Sequence, residues 1–91
     1  MRYEWDSEKD SHNQKKHGVA FQEAKTVFDD ALFLAYEDPD HSVGESRLLI
    51  LGQSDRGRLL VVAYTDRRKK VRLISAREAT RRERKTYEEK G

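Results

Sequence analysis

Cysteine is absent from the 91-residue chain, which excludes disulfides, thiolate metal sites and a cysteine nucleophile, and fits a reducing compartment. An apolar start is missing too. MRYEWD offers no signal-peptide core, and no apolar run approaches the ~20 residues that span a bilayer. A cytoplasmic protein with no membrane partner is expected. There is no glycine-rich phosphate loop: SDRGR, residues 54–58, lacks the lysine–serine sequel and the following helix, and reads as a turn. No GxSxG elbow surrounds a serine, and Ser75 carries no motif of a nucleophile. Hydrophobic residues reach only 35% against 40% charged, so one small core is expected in a single domain over residues 1–91.

Metal chemistry is poorly provided for. His12, His17 and His41 lack ligand spacing, and the carboxylates of EDPD (37–40) crowd one short loop instead of converging from several elements. No metal and no cofactor are expected.

Basic charge, by contrast, is plentiful and unevenly placed. Residues 1–46 hold five Lys/Arg against eleven Asp/Glu, whereas residues 47–91 hold fourteen against six. An acidic half followed by a basic half suggests an anionic partner for the second, nucleic acid being the common case, although solvated surface charge gives the same pattern.

Periodicity assigns the elements. Met1 to Trp5 can form a short edge strand. Asp6 is a good N-cap and Gly18 a good stop for a helix over 7–16, yet that helix carries almost no apolar residue. Phe21, Ala24, Val27 and Phe28 recur at helical spacing in a second helix ending near Asp29 or Asp30. Residues 32–36, 47–52, 58–64 and 71–76 read as strands, and 76–89 as a helix by propensity. EDPDHSVGES, with the sole proline, reads as an exposed loop, and TDRRKK (65–70) as a turn. The order β-α-α-β-β-β-β-α gives an α+β fold, an antiparallel sheet with two N-terminal helices and one C-terminal helix. The second and last helices can cover the sheet and leave the first largely solvated.

On that first helix Lys9, Asn13 and Lys16 fall on one stripe with His17 at its end. Two lysines there complement the helix dipole, or they bind phosphate. His17 is suited to proton transfer, or simply to the capping arrangement HG. On the last helix, Ala76, Ala79, Thr80, Glu83 and Tyr87 are expected on an inner face, with Arg47 or Arg72 offering a partner for Glu83. Arg77, Arg81 and Arg84 form an outer row that can track a phosphate backbone or merely face water. Arg67 and Arg68 in TDRRKKVR, with Lys85 further on, add to the basic surface and favour nucleic acid.

Four ordered blocks then carry a resemblance over nearly the whole chain. They are WDxxKxxxNxxKHGV (Trp5 to Val19), FxEAxxVFDD (Phe21 to Asp30), EDPDHSxGExR (Glu37 to Arg47) and RLISAREATRRERKxYE (Arg72 to Glu88). Together they resemble the BrnT family of bacterial type II toxins, with Gln14 standing where the family usually has an apolar residue. The resemblance implies a RelE-like fold and an endoribonuclease that arrests growth. It also implies a ribbon-helix-helix antitoxin of the BrnA kind, a toxin–antitoxin heterotetramer, and DNA contact only through that complex.

RNA supplies its own nucleophile, the 2′-hydroxyl. Such an enzyme must orient it, accept its proton, stabilise the phosphorane-like transition state and protonate the leaving 5′-oxygen, none of which demands a metal. Arg72 and Arg77 are the expected phosphate ligands, since a guanidinium can hold two oxygens at once, with Arg47 a third. Lys9, Lys16 and His17 are candidates for proton transfer or positioning, and Arg67, Arg68, Arg81, Arg84 and Lys85 for binding the RNA. Tyr64 could stack on a base, but an aromatic in a central strand more often belongs to the core. A basic module that binds nucleic acid or a partner without catalysis remains the rival reading; turnover separates the two.

Overall fold

A computed structural model describes residues 2–39 and 46–90. Met1, residues 40–45 and Gly91 lie outside the described residues, and with them His41 and the centre of the acidic loop. The chain runs β1 (Arg2–Glu4), α1 (Ser7–His17), α2 (Phe21–Ala24), a 3₁₀ segment (Lys25–Asp29), β2 (Leu34–Glu37), β3 (Leu48–Gln53), β4 (Leu59–Arg67), β5 (Lys70–Glu78) and α3 (Arg81–Lys90). The fold is α+β.

The strands form one sheet in the order β1-β5-β4-β3-β2. From β2 to β5 neighbours are antiparallel, as short connectors require. However, β1 lies parallel to β5, pairing Arg2 with Lys70 and Glu4 with Arg72, so the sheet is mixed rather than antiparallel. Connector length constrains only successive strands, and β1 reaches its neighbour through most of the chain.

Alternation along β4 sends side chains to two cores. Leu60, Val62 and Tyr64 join Val19, Phe21, Ala24, Val27, Ile50, Val71, Leu73 and Ala76 beneath the N-terminal helices. Leu59 and Val61 join Leu51 on the other face, where Leu34, Leu49, Ala79 and Tyr87 pack on them. Gly52 lets the 3₁₀ segment approach the sheet, since a Cβ there would meet the Val27 carbonyl oxygen at 3.1 Å.

The polar helix α1 is held by its ends and by two side chains instead of a greasy face. The Asp6 carboxylate accepts from the Glu8 and Lys9 amides at 2.8 and 3.3 Å, and Gly18 closes the helix in the left-handed region at φ 70°. Asp10 accepts from the Phe21 amide at 2.9 Å. Asn13, expected on a surface stripe, is instead buried. Its Nδ2 donates to the carbonyls of Val19 and Ala76, both at 2.8 Å, and its Oδ1 accepts from the Ala76 amide at 3.0 Å. The amide thus takes the place of a neighbouring strand at a point on β5 beyond its ladder with β1, and satisfies backbone groups that burial would otherwise leave unpaired. Glu23 fastens the next turn: it accepts from Arg58 Nη2 at 2.6 Å and from the Ser54 hydroxyl at 2.7 Å, and these bonds outweigh burial to keep its carboxyl below the usual range.

Three expectations about the elements change. The second helix has the expected extent, but only Phe21–Ala24 is α-helical before it tightens to 3₁₀. The basic hairpin stays extended to Arg67 and resumes at Lys70, so its turn is Arg68 and Lys69, with Arg68 at φ 57°. The helix expected from residue 76 begins only at Arg81. Ala76, Arg77 and Glu78 belong to β5 and pair with Val62, Val61 and Leu60; ladder bonds and burial outweigh the helix propensity of AREA. Thr80 caps α3 instead. Its Oγ1 accepts from the Glu83 amide at 3.2 Å while Glu83 Oε1 accepts from the Thr80 amide at 2.8 Å, a capping box. Ala76 and Arg77 are therefore on no face of α3.

One irregularity bears on function. Ala63 pairs with Ser75 and Tyr64 with Leu73, so Ile74 is an extra residue in β5. This β-bulge bends the strand beside α1.

Candidate active site

Helix α3 covers only part of its sheet face. The remainder, toward the start of β3 and the end of β4, is basic. There Lys9, Arg47, Thr65, Arg67, Arg72 and Ile74 line a pocket of about 150 Å³. A second cleft of about 350 Å³ runs along α1, lined by Lys9, His12, Lys16 and His17 opposite Ile74 and Ser75. Lys9 and Ile74 border both, so the two spaces adjoin. The bulge puts Ile74 on the shared wall.

Register explains the convergence. Thr65 pairs with Arg72 across β4 and β5, so the two side chains leave the same face of the sheet. Arg67, two residues on from Thr65, shares that face, and Arg47 enters from just before β3. The Asn13 clamp holds α1 against β5 and brings Lys9 alongside. Arg72 lies 3.9 Å from the Glu4 carboxylate, each about a third exposed. An exposed pair at that distance is worth only ~0–1 kcal/mol, so the guanidinium can exchange it for a phosphate at little cost.

Arg77 is engaged differently. Its Nη1 and Nη2 donate to Glu83 Oε1 and Oε2 at 2.8 and 2.9 Å, a bidentate pair joining β5 to α3. Those bonds come first among the causes that hold the Glu83 carboxyl at about 2, against the opposing effect of burial. Arg77, and neither Arg47 nor Arg72, is thus the partner of Glu83. Tyr87 completes the attachment of α3 by donating its hydroxyl to Asp30; burial first, then the carboxylate, push that phenol up to about 12. Burial acts to raise the Asp30 carboxyl, but hydrogen bonds from Tyr87, Gln53 and Leu32 hold it below its usual range.

A family model for the ribonuclease toxin BrnT of type II toxin–antitoxin systems matches residues 5–83, most of the chain and all of the side chains just described except Glu4, Tyr87 and the distal part of α3. The chain belongs to the BrnT family. The crystal structure of the Brucella abortus ribonuclease toxin BrnT matches with a TM-score of 0.65 at 23% identity, covering 89% of this chain and 99% of that one; at that identity the likeness is one of fold. No curated protein matches.

In this BrnT family member the expected site residues divide into two groups. Lys9, Lys16, His17, Arg47 and Arg72 come together around the adjoining clefts, with Arg67. Arg77 does not join them. Arg68 lies at the hairpin turn in a separate depression with Arg2, Asp66 and Lys69. Arg81, Arg84 and Lys85 are exposed on α3 and line neither cleft. Tyr64 is core, edge-to-face with Phe28 at 5.0 Å. The clefts also hold His12, which the sequence suggests only as a metal ligand, and Thr65, which the sequence places in a turn; continuing the alternation of β4 from Val61 through Ala63 puts Thr65 on the Arg67 face. Among the described residues no group of three or more His, Asp or Glu is placed to hold a metal, and no helix is long and apolar enough to cross a membrane.

Proposed function

We propose that this BrnT family toxin is a RelE-like, metal-independent endoribonuclease that cleaves RNA through its own 2′-hydroxyl and thereby arrests growth. The observation that carries this reading is the convergence of Lys9, Arg47, Arg67 and Arg72 on one pocket beside a histidine-bearing cleft. Arg72, assisted by Arg47 and Arg67, holds the scissile phosphate and stabilises charge on its equatorial oxygens. Lys9 faces both spaces and positions the phosphate or protonates the leaving 5′-oxygen. His17, with Lys16 beside it, serves the neighbouring cleft as the group that accepts the 2′-proton. Arg68, Arg81, Arg84 and Lys85 guide the RNA from further away, and Arg77 belongs to the scaffold.

The partner in the inactive complex is a ribbon-helix-helix antitoxin whose twofold symmetry organises a heterotetramer. It masks the basic clefts with an acidic segment and supplies the contact to DNA.

The deciding experiment incubates RNA with substoichiometric purified protein in excess chelator. Multiple turnovers leaving 2′,3′-cyclic phosphate or 3′-phosphate ends are expected. Strict magnesium dependence with 5′-phosphate ends would overturn the mechanism. Protection of RNA without turnover would leave the chain a binding module.

A further inference from the structure

The floor of the small basic pocket holds an anomaly. Thr65 is only 5% exposed, and its Oγ1 is a buried side-chain oxygen with no hydrogen-bond partner among the described residues. Buried hydroxyls are nearly always paired, because leaving one unsatisfied forfeits its hydration without return. Valine would fill the same volume without burying an unsatisfied hydroxyl, so an orphaned hydroxyl here calls for a use. Its surroundings supply one. Among the described residues the other lining side chains are Lys9, Arg47, Arg67, Arg72 and Ile74, basic but for the isoleucine, with the Glu4 carboxylate loosely placed 3.9 Å from Arg72. At about 150 Å³ the space is well below the ~300 Å³ from which pockets for whole small molecules begin. It suits one oxyanion group.

We infer that Thr65 is the floor donor of an oxyanion subsite, its Oγ1–H pointing at a non-bridging oxygen of an RNA phosphate held by Arg72, Arg47 and Lys9. The inference rests on the ribonuclease reading for the identity of the phosphate, but not for the existence of the subsite. Thr65 is fixed by the β4–β5 ladder, whereas the long cations above it can part by rotamer changes to admit the group. The division of labour is physical. Cations attract a phosphate from any direction, while a fixed hydroxyl donor at one end of the pocket selects its orientation, which in-line attack by a neighbouring 2′-hydroxyl requires.

The test compares wild type, Thr65→Val and Thr65→Ser by thermal melts in graded inorganic phosphate, by binding of a 2′-deoxy oligonucleotide that cannot be cut, and by RNA cleavage. Without phosphate, Thr65→Val should melt at or above the wild-type temperature, because a methyl replaces an unsatisfied hydroxyl. Its phosphate affinity, read from the concentration dependence of the melt, should fall roughly ten- to a hundredfold, as expected for losing a hydrogen bond to a charged group. Oligonucleotide binding and cleavage should fall with it, and Thr65→Ser should recover most of each. A phosphate response in Thr65→Val equal to wild type overturns the subsite, as does a lower melt for that variant, which would mean the hydroxyl has an internal partner. Response to free phosphate with no loss of oligonucleotide binding would make it an ion site and remove it from the RNA path. If Thr65→Val loses phosphate while wild type cuts no RNA, the subsite stands and the ribonuclease mechanism falls.

Discussion

Two arginines of one strand, Arg72 and Arg77, illustrate how little a residue type says without its neighbour. Arg72 has a loose carboxylate at 3.9 Å, whereas Arg77 is locked in both nitrogens by Glu83. Arg72→Lys should therefore keep the melting temperature and lose cleavage, since an ammonium cannot grip two oxygens; a transition-state donor is worth about 3–4 kcal/mol, two to three decades in rate. Arg77→Ala should do the reverse. It strands Glu83 and should cost about 1–2 kcal/mol, the partial exposure of the pair discounting a buried-pair value, with cleavage reduced only as the protein unfolds. Paired melts and rates on both variants decide between these assignments. Acid provides a second readout. The Glu83 carboxyl is held at about 2 in the fold, below the ~4.3 of an unperturbed glutamate. The unfolded chain therefore binds this proton first. The contribution is complete above the unfolded value and disappears as pH falls through the window down to about 2. A plot of melting temperature against pH should descend across that window, and in Arg77→Met the descent should flatten. An unchanged acid limb would remove Arg77 as the cause.

At the scale of elements, α1 is the instructive case. A helix with so few apolar residues is not stabilised by propensity or by a buried stripe; Asp6, Asp10, Asn13 and Gly18 locate it. Asn13→Ala should leave the Ala76 amide and two carbonyls without partners. We expect a loss of about 2–4 kcal/mol in denaturant melts, with faster hydrogen exchange at the Ala76 amide. Wild-type exchange at Ala76 in that variant would refute the clamp. Both caps of α1 were legible in the sequence, and so was the two-faced burial of β4. Asn13 was not, because spacing puts it on the stripe of Lys9 and Lys16 and says nothing about a strand 63 residues away. The start of α3 was legible in principle: Thr80 and Glu83 spell a capping box, but the alanines before it suggested a longer helix. The parallel pairing of β1 had no local signal. Among the candidate site residues, Lys9, Lys16 and His17 are legible from helical spacing and Arg47 and Arg72 as basic residues of strands, with the resemblance adding weight to them, while Thr65 shows itself only as an unsatisfied atom.

At the scale of the molecule, the acidic and basic halves of the sequence do not map onto two sides of the fold. Lys9 comes from the acidic half and stands beside Arg72 from the basic half, because α1 docks against β5. An antitoxin that silences this surface must therefore cover a junction of both halves. If the antitoxin fills the pocket as proposed, phosphate should raise the melting temperature of the free toxin and leave that of the complex unchanged. A phosphate response of equal size in both would show that inhibition leaves the pocket open.

The extra residue in β5 has a genetic consequence. Losing one codon inside a central strand normally turns every following side chain to the wrong side, and such an allele is dead because the protein cannot fold. Codon 74 is different. Without Ile74, Leu73 and Ser75 would become consecutive and still face Tyr64 and Ala63, so each later residue would keep its partner and its side. The strand would straighten, and the wall common to the two clefts would be gone. An in-frame deletion at this position should thus yield a folded protein that has lost the proposed growth arrest, by the removal of three nucleotides that leaves the ladder intact. Selection for survivors of toxin expression, followed by sequencing, should recover it among alleles that still accumulate protein; its absence from that class, with substitutions at Arg72 present, would count against the bulge as a spacer.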